Sequence, residues 1–123
     1  NIAAPLALAG ARDAMQRAER ELEAVGLAHR AEHYPAQMSG GEQQRTALAR
    51  AAVTRPDILL ADEPTGNLDA QTGDAIVDLL FGLRDKYGST LILVTHALDL
   101  AAHCDRIIQL RDGEVMTAHG AVT

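Results

Sequence analysis

The chain is poor in several residue types, and each shortage excludes something. It has one cysteine, Cys104, so no intramolecular disulfide can form, which suits a reducing compartment. Aromatics are two tyrosines and one phenylalanine (Tyr34, Tyr87, Phe81), with no tryptophan, too few for a base-stacking platform. Of 11 basic residues only Lys86 is a lysine, and the formal net charge is −6, so a basic nucleic-acid-binding surface is not expected. Apolar runs are short, far below the roughly 18–20 residues that span a bilayer. Asn1 opens the chain without a Met or a signal-peptide pattern, and the sequence is expected to be a piece of a longer one. What remains is a 123-residue chain, 47% apolar, large enough for a real core.

No repeat, low-complexity tract or linker interrupts it. Residues 1 to about 54 are alanine-rich and read as helical. Ala11, Ala14, Met15, Ala18, Leu22 and Val25 recur at three- and four-residue steps as the apolar stripe of one helix. Arg17 and Glu21 sit four apart on its polar side, and Gly26 is its stop. A second helix is expected from Gly41 to Val53, apolar nearly all round through Ala47, Leu48, Ala49, Ala51, Ala52 and Val53, hence deeply buried. Pro56 ends it, because the residue before proline is pushed out of the helical region. Ile58–Ala61 is continuously apolar, the pattern of a strand covered on both faces. A helix from about Ala70, with Ile76, Leu79, Leu80 and Leu83 on one face and Gly88 as its close, leads to a second buried strand, Thr90–Thr95. Strand, helix, strand makes a βαβ unit with a parallel sheet. Beyond Asp105 the alternation of Ile107, Ile108, Leu110, Val115 and Met116 around Asp112-Gly113 predicts a terminal hairpin. The fold class is α/β.

In such sheets ligands sit beyond the carboxyl ends of the strands. The first strand ends in Asp62-Glu63-Pro64 and the second in His96. Two acids after an apolar run need a cation or a hydrogen-bond partner, unless they are simply turn residues. Mg²⁺ suits them, since it takes one or two carboxylates plus phosphate oxygens. A second constellation is Met38-Ser39-Gly40-Gly41-Glu42-Gln43-Gln44-Arg45. Ser39 and Glu42 have the spacing of a capping box. A cap alone does not explain two glycines in a first turn, where each costs up to about 1 kcal/mol relative to alanine. Glycines do fit a close approach of another group to the backbone, and a helix N-terminus with bare N–H groups attracts phosphate. Asp69 precedes the third helix and is a good N-cap.

MSGGEQQR, then ILLADEP, then TGNLD, then a strand ending in TH resembles the nucleotide-binding domain of ABC-type ATPases, in order and spacing over essentially the whole chain. The resemblance implies a partial P-loop NTPase domain: a helical subdomain at 1–54 ending in the signature helix, and part of the catalytic core at 55–123. It makes Ser39, Gly40, Gly41 and Glu42 the signature motif, contacting the γ-phosphate of ATP bound to an opposite subunit. Asp62 becomes the Walker B aspartate, holding Mg²⁺ through water, and Glu63 the general base. Asn67, Leu68 and Asp69 lie in the D-loop at the dimer interface, and His96 is the switch histidine. Gln43, Gln44 and Arg45 extend the signature match, with Arg45 equally suited to a structural ion pair. His29, His33, His103 and His119 read as surface or packing residues, and Cys104 as no metal ligand. Met38 replaces the usual leucine, Glu42 the frequent glutamine, and Ala97 the common aspartate. The Gly-Asn form of the D-loop resembles exporters of the lipoprotein-release, macrolide-efflux and cell-division type, whose permeases transmit motion.

A P-loop needs Gly-x-x-x-x-Gly-Lys-Ser/Thr. With Lys86 as its sole lysine the chain contains no Walker A motif, and Asn1–Leu6 resembles the segment after the family's glutamine loop. The chain alone is therefore expected not to hydrolyse ATP. In the family sheet the Walker A strand adjoins the strand ending in His96, so an unpaired edge is expected to favour a strand-exchanged homodimer. The implied whole is a cytoplasmic ATPase subunit, peripheral on the inner face of the membrane, pairing head to tail with a second ATPase subunit and docking on a permease. Two alternatives stay open: a truncated, inactive chain serving as a structural or regulatory half-site, and a non-transport ABC ATPase of repair or translation.

Overall fold

Alanine and short apolar spacing set the first half. In the computed structural model, which describes residues 1–120, α1 (Ala3–Leu8) and α2 (Ala14–Ala24) are followed by two short 3-10 turns, Ala28–Arg30 and Pro35–Gln37, that lead to α3 (Gly40–Ala52). Gly26, at φ +75°, stops α2 as expected. The buried face of α2 is Ala14, Ala18 and Glu21, continued by Val25, with Leu22 half-buried beside it. Met15 is not on that face. It lies about 100° round from Ala14 and is 66% exposed. Nor do Arg17 and Glu21 pair on a polar side. Arg17 donates to the Val53 carbonyl at 3.0 Å, and Glu21 is buried and accepts from the Tyr87 hydroxyl.

Helix α3 is the wall between two cores. Ala49 and Val53 pack with Ile2, Leu6, Ala14, Ala18, Val25 and Leu27. Leu48 and Ala52 pack with Leu59, Ile76, Leu80 and Leu83. The expected burial all round α3 fails at Ala47 and Ala51, which are exposed because cores adjoin only two sides of the helix.

Strand β1 (Ile58–Asp62), helix α4 (Ala70–Tyr87) and strand β2 (Thr90–Val94) form the expected βαβ unit. The strands pair in parallel, from Ile58 against Thr90 to Asp62 against Val94. Gly88 ends α4 at φ +65°. The strands are covered on one face only, not both. Leu59, Ala61, Leu91 and Leu93 turn to the core, while Ile58, Leu60, Ile92 and Val94 are exposed, because α4 supplies the cover on one side and no described element supplies it on the other. After the short α5 (Leu98–Ala101), β3 (Arg106–Arg111) and β4 (Glu114–Gly120) make the expected antiparallel hairpin. Its turn, Asp112 and Gly113, has φ of +51° and +82°, the primed geometry that matches strand twist. No described helix is long and apolar enough to cross a membrane.

Candidate functional site

The parallel register puts the carboxyl ends of β1 and β2 side by side, and the chemistry of the chain gathers there. Glu63 leaves β1 in the left-handed region, φ +44°, a costly conformation for a residue with a Cβ. Its N–H still donates to the Val94 carbonyl at 2.8 Å, which holds the residue against β2 while the side chain turns across the strand ends. One carboxylate oxygen, Oε1, accepts from the His96 backbone N–H at 3.0 Å and meets His96 Nδ1 at 2.7 Å. The other, Oε2, has the Thr95 hydroxyl at 3.5 Å. Thr95 Oγ1 in turn accepts from the Ala97 N–H at 3.0 Å, shaping the turn that carries His96. A carboxylate can only accept, so the ring nitrogen facing Glu63 bears the proton and Nε2 points away. Asp62, one residue back on β1, is exposed and outside this cluster.

The turn after Glu63 is wound tightly. Gly66 N–H bonds the Glu63 carbonyl at 3.0 Å, and Asn67 takes φ +64°, tolerable for its short polar side chain. Leu68 packs at the edge of the second core. Asp69 is the N-cap of α4: it accepts from the Thr72 N–H at 3.0 Å and the Thr72 hydroxyl at 2.6 Å. The hydroxyl first, then the N–H, holds its carboxyl below the ordinary range.

The second constellation caps α3. Ser39 Oγ accepts from the Glu42 N–H at 3.2 Å, and Glu42 Oε1 accepts from the Ser39 N–H at 3.1 Å, the reciprocal box the spacing predicts. Glu42 Oε2 accepts from Arg30 Nε at 2.8 Å. The Ser39 N–H, then Arg30, lower the Glu42 carboxyl to about 2. His29 Nε2 lies 3.9 Å from the same oxygen, and His33 lies 3.5 Å from Arg30. Both histidines are exposed.

The two glycines differ. A Cβ on Gly41 would sit 2.6 Å from the Thr72 methyl, so the close approach that Gly41 permits is made by α4 of the same chain. A Cβ on Gly40 would meet only Leu68, at an ordinary 3.6 Å. Steric need within the chain accounts for Gly41 but not for Gly40.

No side-chain bond among the described residues joins Ser39–Glu42 to Glu63–His96 directly. The link is Gln44, whose amide donates to the Pro64 carbonyl at 2.7 Å and ties α3 to the turn after β1. Gln43 instead braces the preceding loop, at the Pro35 and Met38 carbonyls. Arg45 forms no ion pair with any described residue. His103 bonds the Asp99 carbonyl, and burial raises the Cys104 thiol. The side chain of His119 lies outside the described ones. Sequence reasoning missed Arg30 and Thr72, since residues 12 and 31 positions from their partners at Glu42 and Gly41 carry no local spacing signal.

The family model for ABC transporters matches residues 5–66. The ABC transporter ATP-binding protein YbbA of Escherichia coli (strain K12), itself described as uncharacterized, is 57% identical over 117 residues, covering 94% of this chain and 51% of YbbA. The lipoprotein-releasing system ATP-binding protein LolD 2 of Caulobacter vibrioides is 50% identical over 117 residues, 94% of this chain and 51% of its own length. Among solved structures, a dimeric post-hydrolysis state of the ATP-binding cassette MJ0796 bound to ADP and Pi superposes with a TM-score of 0.73 at 45% identity, over 85% of this chain and 46% of that one. The chain thus spans about half the length of the curated relatives it matches. With the βαβ unit, the reciprocally capped α3 and the Glu63–His96 pair in place, the chain belongs to the ABC transporter ATP-binding family and has part of the fold of its P-loop NTPase cassettes.

Proposed function

We propose that this chain is part of the ATP-hydrolysing subunit of an ABC transporter, with residues 1–54 as helical subdomain and 55–123 as part of the catalytic core. The observation that carries the reading is the Glu63–His96 contact, 2.7 Å across the carboxyl ends of two parallel strands. Glu63 acts as general base. Its Oε1 is committed to two bonds from His96, whereas Oε2 has only Thr95 at 3.5 Å and is the oxygen open to a water proton. When its ring is protonated both nitrogens donate, so His96 can bond Glu63 and a phosphate oxygen at once.

The residues present fit MgATP in part. Glu63 is held by His96, which leaves the exposed Asp62 free to hold Mg²⁺ through water. That ion would neutralise charge on the phosphate oxygens. Ser39, Gly40 and Gly41 would offer backbone N–H groups to the γ-phosphate of a nucleotide held by a second ATPase subunit, head to tail. Gly40, unexplained by packing within the chain, supports this assignment. Asn67, Leu68 and Asp69 would line the interface between the subunits. The dimeric MJ0796 cassette supports the pairing, and the relatives named as lipoprotein-releasing ATP-binding proteins support an exporter of the motion-transmitting kind. The subunit would sit on the cytoplasmic face of the membrane, docked on a permease.

The test is ATP turnover by the longer parent that contains this sequence. Glu63→Gln should lower kcat at least about 100-fold, the lower range for a lost general base, and His96→Ala should lower it as well. The 123-residue chain alone, without a Walker A motif, should show no turnover. Hydrolysis by that chain, abolished by Glu63→Gln, would overturn the proposed division of the site.

A further inference from the structure

We infer that Arg30 is a positioning residue for the phosphate-facing end of α3, neutralising the Glu42 carboxylate that caps it; the inference rests on the functional reading above. Glu42 has two jobs in conflict. As the reciprocal cap it must stay within reach of the Ser39 N–H, which it bonds at 3.1 Å. As a carboxylate in the first turn it puts a negative charge beside the N–H groups of Ser39, Gly40 and Gly41, where an anionic phosphate is to be received. Like charges there oppose binding, and the closer and drier the site the more they do so.

The structure resolves the conflict with a cation from outside the helix. The 3-10 turn Ala28–Arg30 delivers Arg30 Nε to Glu42 Oε2 at 2.8 Å, the oxygen not used in the cap. The Glu42 side chain thus spends one oxygen on geometry and the other on charge balance. Protonation cannot substitute for Arg30. Even at its ordinary value of 4.5, without Arg30 beside it, the Glu42 carboxyl would be ionised throughout the neutral range. Among the described residues, His29 at 3.9 Å from Glu42 and His33 beside Arg30 also face the pair, and both are exposed. A glutamine at position 42 could make the same cap with its amide oxygen and would need no counter-charge. The role assigned to Arg30 therefore exists only while a carboxylate occupies that position.

This interdependence sets the experiment. The full-length parent, carrying Glu63→Gln so that MgATP persists, is followed by light scattering for the MgATP concentration that half-saturates dimer formation. Arg30→Ala should raise that concentration about tenfold, the effect of losing one charge contact near a bound anion. In the Glu42→Gln background the same Arg30→Ala change should raise it less than about twofold, and Arg30→Lys, keeping the charge, should cost less than Arg30→Ala. A nucleotide-free readout accompanies it: carbon NMR of the Glu42 carboxyl should show its titration moving up from about 2 toward the ordinary range in Arg30→Ala. Circular dichroism of each variant checks that it is folded. Equal penalties in the two backgrounds, or an unmoved Glu42 titration, would show Arg30 to be a mere strut and overturn the inference alone. Failure of the parent carrying only Glu63→Gln to dimerise with MgATP would overturn the functional reading and this inference together.

Discussion

The two cores that share α3 are built on opposite plans. The first is closed: helices α1, α2 and α3 and the turn at Leu27 bring Ile2, Leu6, Ala18, Val25, Leu27 and Val53 together, all nearly fully buried. The second is half of a layer, with α4 on one face of β1 and β2 and an apolar row on the other. On adjacent positions of one strand Leu59 is 5% exposed and Leu60 72%. The difference teaches that apolar content does not report how many faces of an element are covered. Substitution should expose it most strongly in the second core. Ile76 and Leu80 are fully buried there, and alanine at either should cost about 2–5 kcal/mol of unfolding free energy through lost burial and the cavity left behind. Leu60→Ala on the open face should change stability by less than about 0.5 kcal/mol. Urea unfolding of the chain reads both, and similar losses at the two sites would show that the open face is covered in solution.

The next effect lies where the regions meet. Thr72 is fixed by its branched Cβ and by two bonds to Asp69, so its methyl cannot easily retreat from a Cβ arriving on Gly41 at 2.6 Å. Gly41→Ala should destabilise by about 1–3 kcal/mol through overpacking. Thr72→Ser removes the methyl and keeps the hydroxyl, so adding it should recover most of that loss. If the double variant is no better than Gly41→Ala alone, the contact between the helix starts is not what requires the glycine.

Much of this was legible in the residues. The helix boundaries at α3 and α4, the Ser39–Glu42 box, the Asp69 cap and the turn at Asp112-Gly113 rest on local chemistry within four positions, and the structure places the boundaries of α3 within one residue of the expected ones and the others where the spacing predicts. What the sequence hid is non-local. Glu21 leaves its expected polar side for a buried place where Tyr87, 66 positions away, offers its carboxylate a hydroxyl. Continuous apolarity over Ile58–Ala61 suggests cover on both faces but carries no information on what lies above the sheet. At the site, Asp62, Glu63 and His96 were readable as residue types at strand ends. The pairing of Glu63 with both the backbone and the ring of His96 depends on the strand register and on the positive φ of Glu63. Neither is written in a local pattern.

A smaller effect sharpens the comparison through pH. The folded Glu42 carboxyl is depressed to about 2 from an ordinary 4.5, and that of Asp69 is depressed as well. Each group therefore contributes stability that is fully present above its unfolded value and is lost as pH falls through its folded one. For Glu42 the window runs from about 4.5 down to about 2. Urea midpoints of the chain and of Glu42→Gln should run apart above that window and converge within it. Parallel profiles would show that the carboxylate is not bonded in the folded state.

The smallest change in stability belongs to the open sheet face, where the consequence should appear in association instead. Ile58, Leu60, Ile92 and Val94 form one apolar row, and β1 and β2 each have an outer edge that no described strand pairs. Such a row and such edges favour contact with another chain. Leu60→Ser with Ile92→Thr keeps both strands but makes the row polar, and residues already in water lose little when they become polar. Folding free energy should move by less than about 0.5 kcal/mol. Light scattering at high concentration should nonetheless show the unsubstituted chain above the mass of one copy and the double variant closer to it. A chain that is monomeric in both forms would show that the uncovered face, however apolar, does not drive pairing. A chain that associates equally in both would assign the contact to the strand edges, whose backbone groups the two substitutions leave unchanged.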